Sequence, residues 1–235
     1  LVNLWRSIAH RDIHPSGAFS TNEGAVGNPY SPGAIETCCT VAWMALCVDV
    51  LELTGDPQVA AYLDLAQWNL VLAAQHPSGR WWTYDTPMDG ARSASAHTIV
   101  FQARPGAPEL NCCSVNAPRG LGVLSEWALM ETTSGLALNF HGPMVATARL
   151  PSGNPVTLNV ETTYPVEGEI TVAVAPERAE TFELSVRIPP WATGAVLRVN
   201  GSAVDGVLPG TYARIVREWK AGDEVALSLP MEPRV

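Results

Sequence analysis

The stretch Glu36-Thr-Cys-Cys-Thr-Val-Ala-Trp-Met-Ala-Leu-Cys-Val-Asp-Val-Leu-Glu-Leu-Thr-Gly55-Asp-Pro57 settles the class of the first half of the chain. From Val41 to Leu51 it is apolar nearly all round, broken only by Asp49. A helix of that composition must be covered on most of its sides, as in the inner ring of a helical barrel. Gly55 stops it, and Asp56-Pro57 supplies the N-cap and first-turn proline of a second helix running to Gln75. Upstream, Leu1 to Ile13 reads as the end of a helix. Downstream, the pattern predicts a third helix over Val115 to Glu131. Pro/Gly-rich stretches, Pro15 to Gly33 and Thr86 to Pro108, separate these helices, and loops of such length are usually functional or disordered.

Past Gly135 the apolar period changes to two. Val156-Thr-Leu-Asn-Val-Glu-Thr, Glu169-Ile-Thr-Val-Ala-Val and Phe182-Glu-Leu-Ser-Val-Arg-Ile alternate as half-buried strands. Asn200-Gly201 between Val196-Leu-Arg-Val and Ala203-Val is a hairpin signal. Ala213-Arg-Ile-Val-Arg-Glu-Trp and Glu224-Val-Ala-Leu-Ser-Leu complete a set of short antiparallel strands, expected to form a β-sandwich. The expectation is therefore an α + β chain of two domains, 1–135 helical and 136–235 sheet. The helical part is too short to close a barrel by itself, and there is no internal repeat or Gly-rich phosphate loop.

Composition narrows the function classes. Of 235 residues, 47% are hydrophobic and only 16% charged, which excludes a disordered or highly charged chain. No uninterrupted run of eighteen apolar residues occurs, so no membrane span is expected. A net charge of −9 argues against nucleic acid or an anionic membrane surface as the main partner.

The five cysteines, Cys38, Cys39, Cys47, Cys112 and Cys113, all lie in the first half and include two vicinal pairs. An odd, paired set of this kind is a poor disulfide framework. Glu36-Thr-Cys38 together with Asn111-Cys112-Cys113 offers three thiols and one carboxylate, a complete tetrahedral donor set for zinc. Glu36 and Cys38 sit at the opening of a helix, and Cys112 and Cys113 precede another, whose N-terminus favours thiolate over thiol. The alternative is that these cysteines are small buried apolar residues. Glu23, beside Gly24 in the first long loop, is a candidate general acid/base, or else a solvated loop glutamate. Cys47 belongs by position to the core. Trp81-Trp82-Thr-Tyr84 could stack on a sugar ring or pack in the core, and His14, His76 and His97 fall in or near loops. Asn200-Gly-Ser202 matches a glycosylation acceptor, although the hairpin turn accounts for it.

Gly17-Ala-Phe-Ser-Thr-Asn-Glu23-Gly, Glu36-Thr-Cys38, Leu51-Glu-Leu-Thr-Gly-Asp, Asn69 within Trp-Asn-Leu-Val-Leu-Ala, and Asn111-Cys112-Cys113 together resemble glycoside hydrolase family 127, the β-L-arabinofuranosidase family. Arg187-Ile-Pro-Pro-Trp191, Val199-Asn-Gly and Glu218-Trp-Lys-Ala-Gly-Asp223 extend the resemblance through the second half. It implies the C-terminal part of an (α/α)6 barrel followed by an antiparallel β-sandwich. It also implies hydrolysis of non-reducing-end β-L-arabinofuranosides with retention. By position Cys112 would be the nucleophile, Glu36, Cys38, Cys112 and Cys113 the zinc ligands, and Glu23 the acid/base. Cys39 adds a rival ligand. A chain starting at Leu1 without methionine fits the expectation of a piece of a longer protein. The expected partner is a glycoside or oligosaccharide, with neither nucleic acid nor membrane. A homodimer through the β-sandwich and a cytoplasmic location complete the expectations. The competing reading is a zinc-stabilised, non-catalytic carbohydrate-binding or scaffold protein, or an inactive fragment of the enzyme.

Overall fold

The computed structural model describes residues 1–19, 24–30, 35–86 and 111–232. The chain divides into two compact units, Leu1–Leu124 and Ser125–Val235.

Among the described residues, the first unit holds the helices α1 (Val2–Arg11), α2 (Thr37–Thr54), α3 (Pro57–Ala66) and α4 (Cys112–Gly122). It also holds the two-residue strands β1 (Ile35–Glu36) and β2 (Asp85–Thr86), paired antiparallel with Glu36 opposite Asp85. The helix α2 ends as its composition dictates: Gly55 takes the left-handed conformation, and its N–H bonds Leu51 O at 2.8 Å. Asp56 then accepts from Gln58 N at 2.9 Å with Pro57 in the first turn, and α3 continues as a π-helical stretch, Gln67–Leu72. Val41, Trp43, Met44, Cys47, Val48, Val50 and Leu51 of α2 are all buried, so it is covered on several sides. By length and mean hydropathy (1.5) α2 could cross a membrane, but half of that window is buried inside the protein, as in a core helix. The uninterrupted-run criterion had passed over it because Asp49 and Glu52 break the run.

Gly120 fixes how closely α4 approaches α2 and the π-helical stretch. A Cβ there would lie 2.7 Å from Val71 Cγ2 and 3.2 Å from Val41 Cγ2. Any larger residue would hold the two helices apart. The expected third helix is corrected: α4 starts at Cys112 and ends at Gly122, followed by the short α5 (Leu124–Trp127). The residues Leu129–Glu131 that were expected to end it instead form strand β3. Pairing with β4 (Gly135–Leu138) decides this, since Leu129 faces Leu138 across the ladder.

The remaining strands are β5 (Met144–Arg149), β6 (Pro155–Thr162), β7 (Glu169–Pro176), β8 (Glu180–Arg187), β9 (Val196–Val199), β10 (Ser202–Ala203), β11 (Tyr212–Trp219) and β12 (Asp223–Ser228). They make a six-stranded sheet, β10-β9-β12-β7-β6-β5, and a four-stranded sheet, β11-β8-β4-β3. Alternation does what it predicts: Val156, Leu158 and Val160 of β6 are buried, and so are Ile170, Val172 and Val174 of β7. One pairing departs from an all-antiparallel set, for β4 and β8 run parallel. The short strands β3, β4 and β5 lacked a long enough alternating run to be read from sequence. Asn200 (φ 48) and Gly201 (φ 82) turn the β9–β10 hairpin, with Asn200 Nδ2 donating to Asp223 Oδ1 at 2.8 Å. That bond engages the amide a glycan would need. Arg187, fully buried, donates through Nε to Asn139 O at 2.6 Å.

Candidate metal and active centre

Three segments meet at one point. Glu36 is the N-cap of α2, and its Oε2 accepts from Cys39 N at 2.5 Å. Asn111 is the N-cap of α4, its Oδ1 accepting from Cys113 N and Ser114 N at 3.0 Å each. The segment 82–86 lies against both helices. Thr37 N bonds Tyr84 O at 3.0 Å, Thr37 Oγ1 donates to Thr83 O at 2.7 Å, and Ser114 Oγ donates to Trp82 O at 3.2 Å. Each cap fixes where its helix starts, and so where the next side chains project.

The result gathers Glu36, Cys38, Cys112 and Cys113, with all four donor atoms within 4.8 Å of one another. The Sγ separations are 3.2 Å for Cys38–Cys113, 3.6 Å for Cys38–Cys112 and 4.0 Å for Cys112–Cys113. Cys113 Sγ donates to Glu36 Oε1 at 2.9 Å. A tetrahedral zinc with metal–sulfur bonds of ~2.3 Å needs sulfur–sulfur edges of about 3.8 Å, so the three separations bracket the required value. Three soft thiolates and a carboxylate suit a borderline-soft dication, and the residues fit the group. Glu36 and Cys113 are buried, whereas Cys38 and Cys112 are partly exposed.

The thiols are electronically unequal. Cys38 sits below the ordinary thiol range, chiefly through its hydrogen bond with Cys113. Cys113 is held far above that range by the same bond, by burial and by the Glu36 carboxylate, which accepts from it. Burial also raises Cys112, opposed by a hydrogen bond from the Tyr84 side chain. A cation in the cluster replaces the shared protons, so its binding releases protons.

Among the other candidates, Cys47 is a core residue, buried and accepting from Trp5 Nε1 at 3.2 Å. Cys39 is not one of the four clustered donors, since a neighbour on a helix points about 100° away from Cys38. Trp82 is packed with Ala74 and Ala117, its Nε1 bonded to Val71 O at 2.9 Å, which resolves it as core. Trp81 stacks on His76 with centroids 4.4 Å apart, and His14 bonds Ser16 Oγ at 2.9 Å. Glu23 and His97 lie outside the described residues. Two residues at the cluster escaped sequence reasoning. Tyr84, buried against Cys113, had been weighed only for stacking or packing. Asn116, whose Nδ2 donates to Cys38 Sγ at 3.3 Å, was not singled out, although its place four residues after Cys112 was a usable signal.

Residues 1–125 match the family model described as beta-L-arabinofuranosidase, GH127 catalytic domain, and residues 135–231 match the one described as beta-L-arabinofuranosidase, GH127 middle domain. The chain belongs to glycoside hydrolase family 127. Solved structures agree. Similar to this GH127 chain are Ara127N-Se, a GH127 beta-L-arabinofuranosidase from Geobacillus stearothermophilus T6 (26% identity, TM-score 0.80, 96% of this chain and 37% of that one), and a protein titled glycoside hydrolase (26%, 0.75, 96% and 41%). A third, the GH127 beta-arabinofuranosidase BT3674, has 19% identity with a TM-score of 0.78 over 96% of this chain and 38% of its own, and bears on the fold alone. The chain thus spans 37–41% of the length of these structures. No curated protein matches it.

Proposed function

We propose that this GH127 chain carries the nucleophile of a retaining glycosidase acting on a non-reducing-end β-L-arabinofuranoside or a related sugar. The observation that carries the reading is the gathering of Glu36, Cys38, Cys112 and Cys113 at two helix N-termini, with Cys112 partly exposed. Family membership supports the reaction class. Residues 1–135 are read as part of an (α/α)6 barrel and 136–235 as a β-sandwich, supported by the buried α2 and by the two sheets with alternating burial.

Glu36, Cys38, Cys112 and Cys113 would hold zinc, which when bound keeps thiols deprotonated near neutral pH. Cys112 is the nucleophile: its sulfur attacks the anomeric carbon as the glycosidic C–O bond breaks. Glu23 gives its proton to the leaving oxygen. It then takes a proton from water, whose oxygen displaces sulfur from the same carbon and returns Cys112 as thiolate. Two displacements at one carbon retain configuration. Cys112 suits the role because it is the more exposed of the α4 pair, whereas Cys113 is buried against Glu36. Tyr84 meets the Cys112 sulfur with a hydrogen bond that favours the charged form. The negative net charge supports a neutral sugar rather than nucleic acid as partner.

Hydrolysis of an aryl β-L-arabinofuranoside by Cys112→Ala and Glu23→Gln variants of the protein tests the assignment. Both should lose turnover. Glu23→Gln should lose least on aryl groups that leave without protonation. Wild-type rates in either variant would sink the mechanism.

A further inference from the structure

Asn116 lies on α4 one turn beyond Cys112, on the helix face that carries the clustered thiols. Its Nδ2 donates to Cys38 Sγ at 3.3 Å, so the bond runs from α4 to the start of α2. With all four donors ionised, Glu36, Cys38, Cys112 and Cys113 bring four negative charges, of which a divalent cation offsets two. A half-buried cluster with that excess needs N–H and O–H groups to spread the charge. Three of the four have one: the Cys39 peptide N–H serves Glu36, the Tyr84 side chain serves Cys112, and the Asn116 amide serves Cys38. Cys38 is the one of the three clustered thiols contributed by α2, and from α4 this amide and the Cys112 and Cys113 sulfurs meet it.

We propose that Asn116 is a positioning residue whose amide holds the Cys38 sulfur in its ligating orientation and thereby sets the affinity of the cluster for its divalent cation. The inference rests on the metal-site reading above and adds to it a residue outside the donor set.

The test compares the protein with its Asn116→Leu variant, of the same branched shape but without a donor, and with Asn116→Gln, which keeps an amide. Zinc affinity is measured by competition with a chromophoric chelator. The cobalt(II)-loaded forms are measured by their sulfur-to-metal charge-transfer absorption, which needs no turnover. Asn116→Leu should bind zinc about 10- to 100-fold more weakly. Its charge-transfer band should move to longer wavelength, because a sulfur without its hydrogen bond is easier to oxidise. Asn116→Gln should recover part of both. Melting of the metal-free forms checks that the fold is intact. An affinity loss with an unmoved band means ordinary packing and overturns the proposal, as does wild-type affinity in Asn116→Leu. Wild-type protein that binds neither zinc nor cobalt overturns the metal-site reading along with it.

Discussion

In the second unit the residues that pair are near neighbours in an alternating pattern. In the first, the residues that matter most meet across most of the unit. Strands β6 and β7 bury every second side chain and pair over a short connection, so each local choice already points to the final structure. The cluster joins Cys38 to Cys112 across 74 positions and Glu36 to Cys113 across 77. No local preference holds those groups together. Two helix caps, the close approach at Gly120 and the strand pair β1–β2 do so. Four acidic donors packed together oppose folding until a cation or shared protons neutralise them. The lesson of the contrast is that the second unit should hold itself together, whereas the first should depend on what its donor set binds.

Breaking each unit separately tests that contrast. The largest effect belongs to Cys112→Ala, expected to lower turnover by on the order of 10^4 or more while unfolding of the sheets is unchanged. Next is Trp219→Ala in β11. The ring is fully buried, tilted on Phe182 with centroids 5.9 Å apart, and bonded through Nε1 to Phe182 O at 3.2 Å. Its loss should destabilise the second unit by about 3–5 kcal/mol in denaturant titration, with the cobalt spectrum unaltered. Removing metal with a chelator comes third. At a hundredfold excess of free zinc over its dissociation constant, binding contributes about 2.7 kcal/mol, and that share should vanish from the helical transition alone. The sign with pH follows from the thiols. Cys112 and Cys113 are held above the ordinary range and must lose their protons to bind, so zinc affinity should rise with pH.

Smaller effects sharpen the same comparison. Gly120→Ala forces a methyl group to within 2.7 Å of Val71 Cγ2, which should cost about 1–3 kcal/mol and also weaken zinc binding by moving α4 from α2. Calorimetry with and without zinc separates the two effects. Asn200→Ala strains a left-handed turn position (φ 48) and removes the bond to Asp223, with a loss of about 1–2 kcal/mol confined to the second unit.

The legibility of the two units in the sequence follows the same division. Strands with several alternating residues, the Asn200-Gly201 turn and the stop of α2 at Gly55 all read directly, because one local rule suffices for each. The strands β3 and β4 did not, because short apolar segments take their state from a partner strand, and a helix was expected through Leu129–Glu131. Within the site, the donor set was visible as residue types. Its convergence was not, because helix packing decides it. Asn116 and Tyr84 stayed hidden as common residues whose roles arise only from what they touch.

The central claim is that Cys112 forms the bond to the sugar. In Glu23→Gln given an aryl arabinofuranoside that leaves without protonation, the first displacement proceeds and the second lacks its base. Acid-quenched protein, digested and examined by mass spectrometry, should then carry one anhydropentose on the peptide containing Cys112. The same mass on a peptide bearing a carboxylate instead, with Cys112 free, would contradict it.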